Sequence, residues 1–115
     1  VKAMEVVNMK AADIISKFIK DNHMTQAEAA AIAGMSRQNL HDKLKNRNPR
    51  FNTMTHLLDS FGYQLHIVKE DGKEIDFPEA DFFKAAEKEN LYYDSLHTVL
   101  QSMGYVLQIT EKKRA

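Results

Sequence analysis

Residues 25–44 read TQAEAAAIAGMSRQNLHDKL, and this stretch holds the start, stop and restart of two short helices. Thr25 followed by Glu28 is a capping box: the hydroxyl accepts from a backbone N–H at the helix start, and the glutamate reaches back to the Thr25 N–H. A helix is therefore expected from Gln26. Ala27, Ala29, Ala30, Ala31 and Ala33 keep it slim. Gly34 is the residue best able to adopt the left-handed conformation that ends a helix and turns the chain. Met35 can tuck into the angle, Ser36 is the next N-cap, and Leu40 and Leu44 give the second helix one apolar stripe. Two helices joined in this way form a helix-turn-helix, whose second helix is suited to the DNA major groove.

Outward from this stretch, Ala11, Ile14, Ile15, Phe18 and Ile19 follow helical spacing from Lys10 to about Asn22. Residues 46–50, NRNPR, interrupt with turn chemistry and charge. Thr53 is the expected N-cap of a fourth helix, with Met54, Leu57, Leu58 and Phe61 on one face and Gly62 as its stop. Residues 63–69 alternate as a strand, Asp71-Gly72 is a hairpin signal, and residues 73–77 are strand-like, so a two-stranded hairpin is expected there. Pro78 suits the first turn of a helix to about Glu89, a further helix runs from about Tyr93 to Met103, and residues 105–110 form a last strand. Residues 1–9 show no clear period and receive no assignment.

The central segment resembles the helix-turn-helix of the Cro-like, XRE-type phage-repressor family. The resemblance is carried by T-Q-A-E, the small Ala30, Gly34 at the turn, the opening Ser36-Arg37-Gln38 and the apolar Leu40, and extends less tightly from Lys10 to about Gly62. Family members usually add another helix before their core closes, whereas here a strand-like run follows Gly62. The resemblance implies that Arg37, Gln38 and Asn39 lie at the base-reading end of the second helix, and that Gln26 contacts phosphate through its amide and the neighbouring backbone N–H. Side-chain chemistry agrees: arginine can donate two bonds to guanine, and glutamine or asparagine can both donate to and accept from adenine. With Leu40 and Leu44 turned inward, His41 and Lys45 share the exposed side with Arg37 and Gln38. His41 is placed to contact a base or a phosphate. Lys43, Lys45, Arg47 and Arg50 suit phosphates better than bases.

Charge supports this placement. The 115 residues carry no formal net charge, yet residues 1–50 hold nine Lys or Arg against five acids, and residues 51–115 hold seven against eleven. Between Ser36 and Arg50, five cations face only Asp42. Such a patch beside a reading helix is what phosphate neutralisation requires.

A repeat appears when the chain is slid by 42 residues: Leu58, Ser60, Gly62, Tyr63, Leu65 and Ile67 recur as Leu100, Ser102, Gly104, Tyr105, Leu107 and Ile109. In that register Arg37, Gln38 and Lys45 fall on Glu79, Ala80 and Glu87. From Glu70 to Asp94 there are nine acids and three lysines, a segment that phosphate would repel. The second copy therefore reads as a structural or oligomerisation half. The pattern is compatible with strand pairing within one chain or between two.

Other chemistry is sparse. His23, His41, His56, His66 and His97 lack the spacing of a zinc site, cysteine is absent, and no nucleophile motif or glycine-rich phosphate loop is present. No enzyme activity, cofactor or metal is expected. The cysteine-free composition suits a reducing cytosol, and no apolar run could span a bilayer, so a cytoplasmic location is the expectation.

The expected fold is α+β: a helix-turn-helix unit of four helices over residues 10–62, then a hairpin, two helices and a C-terminal strand over residues 63–111 that build a small sheet. The expected function is sequence-specific binding of double-stranded DNA by a transcriptional regulator of bacterial or phage type, acting as a repressor and as a homodimer. The alternative is a protein-interaction module, such as an antitoxin, whose acidic second half binds a basic partner.

Overall fold

The computed structural model describes residues 3–4, 9–45 and 49–112. The chain runs β1 (Ala3–Met4), α1 (Ala11–Asp21), α2 (Gln26–Ile32), α3 (Arg37–Lys45), α4 (Phe51–Ser60), β2 (Tyr63–Lys69), α5 (Glu79–Lys88), α6 (Tyr93–Ser102) and β3 (Tyr105–Glu111). The α+β class and the four N-terminal helices match the sequence reading.

The helix-turn-helix forms by the local chemistry read from residues 25–36. Thr25 Oγ1 accepts from Glu28 N at 3.1 Å, and Thr25 N donates to Glu28 Oε1 at 3.0 Å. At the other end of α2, Gly34 sits at φ +71°, Gly34 N donates to Ala31 O and Met35 N to Ala30 O. This pair of bonds is the Schellman closure, which uses carbonyls that the helix end would otherwise leave unpaired. Ser36 Oγ then accepts from Asn39 N at 3.0 Å and opens α3.

The expected hairpin does not form. Gly72 does turn the chain at φ +80°, with Gly72 N donating to Lys69 O and Lys73 N to Asp71 Oδ1. Residues 73–77, however, are not a strand. The partner of β2 is β3, antiparallel over all seven residues from Tyr63↔Glu111 to Lys69↔Tyr105. Seven paired residues with Leu65, Ile67, Leu107 and Ile109 all buried make this the seam of the sheet. Ile75 and Phe77 instead pack against the core from a loop, Phe77 meeting the Tyr105 ring edge-on at 5.3 Å. The strands thus pair within the chain, and β1 adds to the far edge of β3, giving the order β1-β3-β2.

The fourth helix begins at Phe51, two residues before the expected cap at Thr53. The cause lies outside the helix: Arg50 and Tyr92 form an antiparallel bridge, with Phe51 N donating to Leu91 O at 2.6 Å and Tyr93 N to Pro49 O at 3.0 Å. The bridge holds Arg50 extended and delivers Phe51, fully buried, into the core.

The spacing of 42 residues governs the architecture. Helices α4 and α6 are superimposed by it, as are β2 and β3, and Gly62 and Gly104 share φ values of +88° and +87°. Exchanging each residue with its counterpart maps the strand register onto itself, with His66 opposite Gln108 at the centre. The Arg50–Tyr92 bridge also joins counterparts, and the Phe51 and Tyr93 rings lie nearly parallel at 6.5 Å. The two repeats therefore face each other across an internal pseudo-two-fold axis and share one core, which holds Ile14, Leu40, Phe51, Leu57, Tyr93 and Leu100 together. The second repeat has no counterparts of α1 and α2; the linker 70–78 stands before α5.

Candidate nucleic-acid interface

Helix α3 is anchored through its two leucines, Leu40 at 0% and Leu44 at 8% exposure. Against α2 they meet small residues, Ala29, Ala30 and Ala33, all in the same buried cluster. Slim alanines let the two helices approach closely, which fixes α3 while its other side stays in solvent. Arg37, Gln38, Asn39, His41, Asp42 and Lys45 are exposed there, and Lys43 is half-buried. The four residues assigned to base reading thus come together on the exposed side of one helix, toward its N-terminal end.

Gln38 is not idle in the free protein. Its Nε2 donates to Asp42 Oδ1 at 2.9 Å, one helical turn on. The signal for this pair in the sequence is the i,i+4 spacing of the two residues. The bond orients the amide along the helix, and a base edge would have to replace Asp42 as its partner. Gln26 is the first residue of α2 and half-buried, so its backbone N–H belongs to the helix start, where donors lack intrahelical acceptors.

The cations divide into two groups. Lys43 and Lys45 extend from the last turn of α3. Arg47 lies outside the described residues. Arg50 is committed elsewhere: its guanidinium lies over the Tyr92 ring at 3.7 Å from the centroid, and Nη1 donates to Asn90 O at 2.9 Å. It ties the first repeat to the second across the pseudo-two-fold bridge. The signal for this was available in the sequence, because Arg50 and Tyr92 are themselves 42 residues apart.

His56, His66, His97 and Tyr93 are engaged in packing or local bonds. His56 Nε2 lies 2.8 Å from Ala33 O and pins α4 to the end of α2, while His66 Nδ1 lies 3.2 Å from Glu79 Oε1. His97 is buried, which pushes its ring toward the neutral form, with the nearby Asp94 opposing that shift. Burial also drives the Tyr93 hydroxyl above its ordinary value. Among the described residues, no three His, Cys, Asp or Glu side chains are grouped to hold a metal ion, and no helix is long and apolar enough to cross a membrane.

Residues 15–66 match the family model of the Cro/C1-type HTH DNA-binding domain. The match runs from α1 into β2, just under half of the chain, and includes every described residue assigned to the interface. No curated protein and no solved structure matches the chain. The match supports a DNA-binding transcription regulator.

Proposed function

Because the N-terminal half carries a Cro/C1-type helix-turn-helix, we propose that the chain binds double-stranded DNA sequence-specifically and represses transcription by occluding its operator. The observation that carries this reading is the exposed side of α3, where Arg37, Gln38, Asn39 and His41 are held out by a fully buried Leu40. Arginine and amide side chains at the start of such a helix provide direct readout of base edges. Lys43, Lys45 and the start of α2 at Gln26 neutralise flanking phosphates, and Arg50 contributes by holding the scaffold. The acidic α5, in the pseudo-symmetric position of α3, stays away from the duplex.

One helix-turn-helix reads only a few base pairs, so a homodimer on two half-sites is part of this proposal. Its contact does not use the β2–β3 seam, which joins the two repeats of a single chain. The test is selection of bound duplexes from a random pool by the full chain, followed by titration across a salt series. Recovery of a preferred sequence, with affinity falling steeply as salt rises, is the expected result. No enrichment over the starting pool would overturn the reading.

A further inference from the structure

The internal symmetry exposes a mismatch between the repeats. On α4, Leu57 is fully buried, Phe61 stacks on Phe18 of α1 at 4.2 Å, and His56 is bound to the end of α2. Their counterparts on α6 are Val99, Met103 and Thr98. Here the face is open among the described residues: Val99 is 56% and Met103 64% exposed, and Ser95, Thr98 and Ser102 beside them are exposed as well. The hydroxyls of Thr98 and Ser102 donate back to Asp94 O and Val99 O of their own helix, so these two are already engaged beside the apolar side chains.

The linker fills only a part of the missing helices' place. Phe77 meets Tyr105 edge-on at 5.3 Å, as Phe18 of α1 meets Tyr63 at 5.5 Å. It supplies one aromatic ring of an α1-like helix and leaves the rest of the face open. The first repeat thus shows, filled, what stands empty in the second: a seat for an amphipathic helix bearing large apolar residues one turn apart, as Ile14 and Phe18 are on α1.

We propose that the α6 face around Val99 and Met103 docks a basic amphipathic helix of a partner protein, in the pseudo-symmetric position of α1. The basic character follows from charge complementarity. Residues 70–94 hold nine acids against three lysines, and one of them, Asp76, stands at the Met103 end of α6, where its Oδ1 accepts from the hydroxyl of Tyr105 at 2.8 Å. Cations flanking an apolar stripe would be attracted there, and an acidic helix repelled. The site is separate from the α3 surface, so its failure leaves the DNA reading intact, and the reverse.

The probe is a fluorescein-labelled peptide of residues 10–22 carrying Asp13→Lys and Asp21→Lys, which presents the apolar stripe of α1 with a basic flank. It is titrated with the full-length chain and followed by anisotropy. The expected result is saturable binding, weakened at least about tenfold by Val99→Glu or Met103→Glu, in line with placing a charge against an apolar contact. Both variants change exposed residues and should retain the wild-type circular dichroism and DNA affinity. A second peptide with Lys10, Lys17 and Lys20 changed to glutamate should bind at least about tenfold more weakly than the basic one. The proposal is overturned if the basic peptide does not saturate, or if both glutamate variants bind it like wild type. It is also overturned if the chain alone sediments as a dimer that Met103→Glu dissociates, which would assign the face to a second copy.

Discussion

Arg37 and Gln38 should govern which sequence is bound, whereas Lys45 should govern how tightly any sequence is bound. Arg37→Ala and Gln38→Ala are expected to lose about 1–3 kcal/mol of discrimination each against single-base variants of the selected duplex. Lys45→Ala should weaken specific and random DNA nearly equally and flatten the logarithmic salt slope by about one unit. Titrations on matched duplexes over a salt series separate these outcomes, and unchanged discrimination in the first two variants would remove them from the base-reading role. Arg50→Ala is different in kind. Its loss breaks the stack on Tyr92 and the bond to Asn90 O, which should lower the unfolding free energy by about 1–3 kcal/mol in urea and leave the salt slope unaltered. His97 adds a pH dependence. Burial holds its folded-state pKa below the ordinary 6.5. Its stabilising contribution is therefore complete above about pH 6.5 and is lost as pH falls toward the folded value, because the unfolded chain takes up a proton that the folded chain refuses. Urea midpoints at pH 7.5 and 5.5 should fall further for wild type than for His97→Leu, and equal falls would contradict this.

At the scale of elements, the parts that could be read in the sequence are those set by near neighbours. The capping box at Thr25 and Glu28, the turn at Gly34 and the cap at Ser36 each act over three or four residues, and each formed as expected. Where a distant partner decides the conformation, local sequence does not reveal it. Residues 73–77 have the composition of a strand, but Ile75 and Phe77 pack on the core, Phe77 against Tyr105, and β2 finds its ladder partner in β3, some 40 positions along the chain. Phe51 starts α4 because Leu91 accepts its N–H, and no local signal near Thr53 reveals that bond. The exposed side of α3 was legible because Leu40 and Leu44 alone fix which side faces out. The role of Arg50 was hidden among its basic neighbours, since only the repeat register points to Tyr92.

For the molecule as a whole, the two repeats differ in what they present: one keeps a basic helix facing outward, and the other closes the core behind it. Truncation after Lys69 removes Ala86, Tyr93, Leu96, Leu100, Leu107 and Ile109 from the shared core and strips β2 of its only ladder partner among the described residues. The shortened chain should lose its cooperative urea transition. A sharp transition in that fragment would show that residues 1–69 fold alone. The asymmetry between the repeats is also what most directly tests the account. Backbone amide shifts of the full-length chain, followed by NMR as the selected duplex is added, should move at Gln26 and along residues 37–45 and stay fixed along residues 79–88 of α5. Movement concentrated on α5 or α6, with α3 unperturbed, would contradict the assignment of DNA reading to the first repeat.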